Sequence, residues 1–111
     1  FKNKNGNFWV IEKNKKIIGS MGIAPNKKNL ELHKVYISKS ERRKGLARKL
    51  VLKAERYAKK NNYKKLILWS DTRFKEAHRM YLDFNYKKLN KTRKLYDISK
   101  TTEFCFEKNI H

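Results

Sequence analysis

The chain has 111 residues, of which 39% are hydrophobic and 13% aromatic, which suits one domain with a real core rather than two domains or a disordered chain. Thirty Lys and Arg residues against ten Asp and Glu residues give a formal net charge of +20 at pH 7. One cysteine excludes an internal disulfide, the three scattered histidines show no zinc spacing, and no apolar run is long enough to span a bilayer. No secretory segment opens the chain, so we expect a cytoplasmic protein with no metal and no membrane contact.

The excess of basic residues has two interpretations. Seven of the thirty are Arg and the remainder are Lys, and Lys and Asn, both frequent here, share AT-rich codons. A surface dedicated to nucleic acid uses Arg more often, and it places exposed aromatic rings among the cations. The candidates for such rings are Tyr36, Tyr57, Tyr63 and Tyr96. We favour codon bias on a solvated surface and keep nucleic-acid binding as the alternative; in either case the field favours anionic ligands.

Three strands are predicted first, over residues 7–12, 17–24 and 30–37, because aromatic and β-branched residues cluster there between polar turns. Gly19 and Gly22 interrupt the second of these strands and indicate a bend or a bulge. The short turns at 12–16 and 25–29 favour an antiparallel meander.

The hydrophobic period then changes from strand to helix. Apolar residues recur at helical spacing over 45–60, which predicts one amphipathic helix. Residues 65–69 (KLILW) form a short continuous apolar run, typical of a strand buried on both faces. The strand over 30–37, this helix and the strand over 65–69 therefore predict a right-handed parallel βαβ crossover.

A second helix is predicted around Ala77, Met80, Tyr81 and Phe84, which stand at i, i+3, i+4 and i+7. Asp71 or Thr72 can cap its start. Strands over 86–89 and 102–108 follow. The predicted order is βββαβαββ, an α/β domain with a mixed sheet.

The segment Arg42-Arg43-Lys44-Gly45-Leu46-Ala47 stands where the third strand leads into the first helix. The first N–H groups of a helix lack intrahelical partners, and the macrodipole adds positive charge at the same end. Gly45 permits close approach of a ligand, and Arg48 adds a further cation. The segment suits a diphosphate-like anion, although an ordinary basic loop before a helix is an equally good interpretation of these residues alone.

Two motifs resemble the GNAT superfamily of acyl-CoA-dependent N-acetyltransferases. Arg42-x-x-Gly45-x-Ala47 matches the pattern [RQ]-x-x-G-x-[GA], and Ala77-x-x-x-Tyr81 followed by Asn85-Tyr86 matches A-x-x-x-Y-x-x-x-G-[FY]. The order of elements agrees over about residues 8–108. The resemblance implies a mostly antiparallel mixed sheet with a central parallel βαβ pair and a V-shaped cofactor cleft.

The resemblance also implies transfer of an acetyl group from acetyl-CoA to an amine of a small molecule or a protein. The CoA diphosphate is expected on the loop and first helical turn, and the pantetheine arm along the end of the third strand. The residues so implied in cofactor binding are Val35, Tyr36, Ile37, Arg42, Arg43, Lys44, Gly45, Leu46, Ala47 and Arg48.

Three residues are implied in catalysis. Tyr81 is the candidate general acid for the departing CoA thiolate, although its place on the apolar stripe also fits a purely structural role. Glu31 is the first candidate for the base and His33 the second, because alternation puts both on one face of their strand. An exposed strand glutamate is an equally good interpretation of Glu31.

The chain departs from the family pattern in three ways. Phe74 replaces an Asn that many members have, and Asn85 replaces a glycine but can adopt a left-handed turn. We also expect residues 1–111 to form a single domain that lacks the family's N-terminal strand and helices.

The positive field favours a neutral or anionic acceptor with one amine, unless acidic side chains form a local pocket; the candidates are Glu31, Asp71, Glu103 and Glu107.

Overall fold

A computed structural model describes residues 2–4, 8–42, 45–95 and 101–110. Within these residues, seven strands form one sheet in the order β1-β2-β3-β4-β5-β7-β6. The strands are β1 (Lys2–Lys4), β2 (Phe8–Lys13), β3 (Lys16–Asn26), β4 (Asn29–Ile37), β5 (Lys65–Asp71), β6 (Lys87–Lys94) and β7 (Thr102–Asn109), and the helices are α1 (Leu46–Lys60) and α2 (Lys75–Asp83). Only β4 and β5 are parallel neighbours among the described pairs.

The predicted mixed sheet and its central parallel pair are confirmed. β2, β3 and β4 form the expected antiparallel meander, and α1 connects β4 to the parallel strand β5. The register shifts on both sides of Gly19, between β2 and β3 and again between β3 and β4, so the bulges expected near the glycines are present. The strand β1 and a single 3₁₀ turn at Lys39–Glu41 were not predicted.

The predicted cap of α2 is wrong. The helix begins at Lys75 with Phe74 as its N-cap, so neither Asp71 nor Thr72 caps it. The Asp71 carboxylate instead accepts hydrogen bonds from the backbone N–H of Arg73 (2.9 Å) and from its guanidinium (2.9 and 2.6 Å). The turn between β5 and α2 is therefore held by a local ion pair.

A bulge in β4 opens the sheet. Ser20 pairs with Tyr36 whereas Gly22 pairs with His33, so β4 has one extra residue opposite β3 at this point. The β4–β5 pairing extends only to Leu32 and Leu68, although both strands continue beyond it. The two parallel strands thus separate at their carboxyl ends and leave a V-shaped opening.

Both helices pack on one face of the sheet. The apolar stripe of α1 (Leu50, Val51, Ala54 and Ala58) is fully buried against core residues that include Leu32. The ring centroid of Tyr81 on α2 lies 5.4 Å from the ring centroid of Phe106 on β7. The two helices are linked as well, because Arg48 lies 5.0 Å from the ring of Phe84. Each fully buried leucine contributes about 2–5 kcal/mol when compared with alanine.

None of the helices in the described part of the chain is both long and apolar enough to cross a membrane.

Candidate active site

The cleft between β4 and β5 has a volume of about 760 Å³ and is bordered by the first turns of α1 and α2. This size lies within the usual range of ligand sites. It brings together nearly all of the predicted cofactor residues with Tyr81: its lining includes Val35, Tyr36, Ile37, Arg42, Gly45, Leu46, Ala47, Arg48 and Tyr81. Arg43 and Lys44, predicted in the same set, lie outside the described residues.

Gly45 shapes the rim of the cleft. It is the N-cap of α1 with φ of 76°, a left-handed conformation that favours glycine. A Cβ atom built on Gly45 would meet no atom within 4 Å, so the space in front of this residue is open. The nearby Arg42 guanidinium donates to the Ile37 carbonyl (3.3 Å), which ties the loop to the end of β4. The first amides of α1 therefore border an accessible space.

Tyr81 stands at the inner end of the cleft. Its side chain is 2% exposed and packs edge-on against the rings of Tyr86 and Phe106. Burial raises the pKa of Tyr81 to about 12, and a hydrogen bond with the Ser70 side chain opposes that rise. The phenol is thus protonated at neutral pH, and its hydroxyl has Ser70 as a hydrogen-bond partner at the cleft wall. The sequence alone did not indicate Ser70, because this residue follows the predicted strand over 65–69 and belongs to neither motif.

Asn85 and Tyr86 hold the C-terminal end of α2. Asn85 has φ of 70°, so the left-handed turn expected of it is present. The Tyr86 hydroxyl donates to the Glu55 carboxylate of α1 (2.8 Å), and Lys108 contacts the same carboxylate at 3.2 Å. Burial and the Glu55 charge both raise the pKa of Tyr86. This contact fixes α2, and with it Tyr81, relative to α1.

Glu31 and His33 lie beside the cleft and do not appear among its described lining residues. The Trp69 indole N–H donates to Glu31 (3.1 Å), and the Asn26 amide donates to the other oxygen of that carboxylate. Trp69 itself lines the cleft, so its indole connects the Glu31 carboxylate to the cleft wall. His33 Nε2 lies 3.7 Å from Glu31 Oε1. The role of either residue as a base stays a prediction.

Several residues that line the cleft were not predicted as site residues from the sequence. They are Glu41, Trp69, Ser70, Arg73, Lys75, Glu76, Met80, Leu95 and Thr101, and Phe74, noted only as a departure from the motif, also lies at the wall. Glu103, considered only as part of an acidic pocket, is 3% exposed and lines the cleft from β7. These side chains come from strands, turns and α2 that meet only in the folded chain, and no local pattern in the sequence reveals that arrangement.

The tyrosines weighed for nucleic-acid stacking have different surroundings. Tyr57 and Tyr63 stack on each other with ring centroids 6.4 Å apart, and Tyr57 also packs edge-on against Trp9. Tyr36 is 49% exposed at the cleft, and Tyr96 lies outside the described residues. Nucleic-acid binding remains an untested alternative.

Comparison with known proteins identifies the family. The model of the acetyltransferase (GNAT) family matches residues 1–86. The chain belongs to the GNAT family. It is 30% identical over 87 residues to N-acetyltransferase 8 of Homo sapiens, which covers 73% of this chain and 38% of that protein. It is 32% identical over 87 residues to the N-acetyltransferase YjgM of Escherichia coli, with 75% and 52% of the two chains covered. The chain thus spans about half or less of these GNAT relatives.

Solved structures show the same GNAT fold. Ard1 of Thermoplasma volcanium superposes with a TM-score of 0.81 at 14% identity, covering 98% of this chain and 74% of that one. The PaiA N-acetyltransferase of Thermoplasma acidophilum, solved in complex with coenzyme A, gives a TM-score of 0.74 at 20% identity, with 92% and 59% covered. The predicted fold class and family are therefore both confirmed.

Proposed function

We propose that this GNAT protein transfers an acetyl group from acetyl-CoA to a primary amine of a small molecule or a protein. The observation that supports this most is the convergence of the Gly45 turn, the separated end of β4 and the Tyr81 hydroxyl on one cleft. A relative with the same fold was solved with coenzyme A bound.

The cleft can accommodate the coenzyme in three parts. Its diphosphate fits the amides at the start of α1, where the macrodipole and the guanidinium groups of Arg42 and Arg48 supply positive charge. The pantetheine arm has amide groups that can pair with the backbone of residues 35–37, where β4 has separated from β5. The thioester then lies toward the inner wall, at Ser70 and Tyr81.

The proposed reaction needs three proton transfers, two from the nitrogen and one to the sulfur. An alkyl ammonium has a pKa of about 10.4, so a base must remove a proton before the nitrogen lone pair can attack the thioester carbon. Glu31 takes this proton through water. As the N–C bond forms and the C–S bond breaks, the sulfur leaves with its electron pair and Tyr81 donates its hydroxyl proton to it. The nitrogen releases its second proton to water as the amide forms. The products are the N-acetyl amine, CoA and one proton, since Glu31 returns its proton to solvent and Tyr81 regains one from it.

Isothermal titration with CoA tests the donor site directly. We expect saturable binding, because the cleft combines a helix N-terminus with guanidinium groups. If millimolar CoA gave no heat of binding, the proposed function would be wrong.

A matched pair of variants separates specific binding from general attraction to a cation-rich surface. Arg48→Gln removes a cation that lines the cleft, whereas Lys49→Gln removes the neighbouring exposed cation, which does not line it. We expect Arg48→Gln to weaken CoA binding about tenfold, the loss of one charge-assisted hydrogen bond, and Lys49→Gln to change it much less. Equal losses in the two variants would show only non-specific attraction. Because Arg48 also contacts Phe84, thermal unfolding of both variants is the control.

A further inference from the structure

Arg93 lies at the centre of a side-chain cluster on the sheet face opposite the helices. Its Nε donates to the Glu103 carboxylate (2.7 Å), and the Glu103 side chain is only 4% exposed. Its guanidinium carbon also lies 4.3 Å from the ring centroid of Trp69. A carboxylate on one side and an aromatic face on the other fix the orientation of the guanidinium plane.

The same guanidinium contacts His33, which is 60 residues away in the chain, with 2.9 Å between Arg93 Nη2 and His33 Nδ1. A guanidinium has five N–H donors and no acceptor, and it stays protonated in proteins. Nδ1 must therefore offer its lone pair, so the neutral His33 ring has its proton on Nε2. That nitrogen is the one facing Glu31 Oε1, at 3.7 Å.

We propose that Arg93 is a positioning residue that fixes neutral His33 as the Nε2–H tautomer, with its N–H directed at the Glu31 carboxylate. His33 then has no lone pair on the Glu31 side and cannot act as the base. Glu31 is left as the proton acceptor, held by the hydrogen bond from the Trp69 indole, with His33 Nε2 3.7 Å from its Oε1 atom. The catalytic half of this proposal rests on the proposed function, whereas the tautomer does not.

The tautomer is measurable without coenzyme or substrate. At pH 8, ¹⁵N-detected NMR of the histidine rings distinguishes a protonated from an unprotonated nitrogen, and His33→Gln assigns the His33 signals among the three histidines. We expect an unprotonated Nδ1 and a protonated Nε2 at His33. A protonated Nδ1 in the unmodified protein would overturn the proposal.

Variants then test whether Arg93 is the cause. Arg93→Met should give a mixture of the two tautomers, whereas Arg93→Lys, which keeps a cationic donor, should restore the Nε2–H form at least in part. Lys91→Met is the matched control, since Lys91 is a cation of the same strand that lies 5.7 Å from the same Trp69 ring. An unchanged tautomer in Arg93→Met would contradict the proposal, as would equal effects of the two methionine variants.

The buried Glu103 requires a second design, because Arg93→Met leaves its carboxylate unpaired and can prevent folding. The double variant Arg93→Met/Glu103→Gln removes that charge and is compared with Glu103→Gln alone. With the proposed reaction as readout, we expect kcat to fall about tenfold with an unchanged KM for acetyl-CoA, as for a misdirected catalytic group. An altered tautomer with unchanged kcat would overturn the catalytic half. Failure of CoA to bind the unmodified protein would instead reject the proposed function and leave the tautomer result intact.

Discussion

The surroundings of Tyr81 suit the general acid that we propose. A residue that only packs in the core does not need its hydroxyl at a cleft wall. Tyr81 is almost fully buried, yet its hydroxyl reaches the cleft wall beside Ser70. In Tyr81→Phe the ring contacts with Tyr86 and Phe106 can persist while the proton donor is lost. We expect turnover to fall roughly 10²–10⁴-fold with little change in CoA affinity. Tyr57→Phe, a hydroxyl lost from α1 outside the cleft lining, is the control. Equal turnover in the Tyr81 variant would mean that Tyr81 only packs.

The raised pKa of Tyr81 gives the pH dependence of this role. Burial moves the pKa from 10.0 to about 12, so the hydroxyl keeps its proton throughout the range in which an amine acceptor becomes neutral. The protonated phenol therefore adds stability that is fully present below pH 10 and is lost as the pH rises through about 12. A loss of turnover between pH 7 and 10 that is absent from Tyr81→Phe would contradict this assignment.

At the residue scale, local chemistry could be predicted and long-range contacts could not. The left-handed backbone of Asn85 and the special place of Gly45 follow from what each residue type tolerates. The contact between Arg93 and His33 depends on β7 lying between β5 and β6, and no spacing in the sequence encodes that neighbourhood. Arg93 could not be distinguished from the other basic residues of its strand.

At the element scale, the crossover was predictable because its parts have different hydrophobic periods. The helical stripe of α1 specifies burial on one face, whereas the continuous apolar run of β5 specifies burial on both faces.

The extent of β6 was underestimated: it extends from Lys87 to Lys94 although most of its residues are exposed. Pairing with β7 makes it a strand, and two of its cations contact aromatic rings of inner strands, Lys88 over Phe104 and Arg93 over Trp69.

Two variants of Gly45 test whether the start of α1 contacts the coenzyme, because they separate the effect of backbone strain from that of steric blocking. Gly45→Ala places an alanine at φ of 76°, which costs about 1–2 kcal/mol, and its Cβ projects into the open space at the cleft rim. Gly45→Asn adds a side chain at the same place, but asparagine tolerates the left-handed region better. We expect both variants to lose CoA affinity in calorimetry and only the alanine variant to lose substantial stability in urea unfolding. If only the alanine variant lost CoA affinity, in parallel with its loss of stability, the rim of the cleft would not contact the coenzyme.

At the scale of the whole molecule, the net charge is +20, and most of the carboxylates considered for an acidic acceptor pocket pair with cations in the described part of the chain. Asp71 pairs with Arg73 (2.6 Å), Glu103 with Arg93 (2.7 Å) and Glu107 with Lys65 (3.5 Å). Three of the four carboxylates that could have formed such a pocket are thus each matched by a cation. Glu31 has the neutral donors Trp69 and Asn26 instead.

We therefore expect the positive field to disfavour polycationic acceptors. Two amines of equal chain length test this: 4-aminobutanoate has a carboxylate where 1,4-diaminobutane has a second ammonium group. We expect kcat/KM to favour the amino acid by about tenfold at low ionic strength, because electrostatic steering changes association rates by 10–10³. Added salt should reduce the difference, since at about 0.1 M the Debye length is near 10 Å. Measuring both amines from low to high salt, with spermidine as a third substrate, separates steering from fit. A preference for spermidine that grows as salt is removed would mean that Glu31 and the other acids dominate the field at the acceptor site.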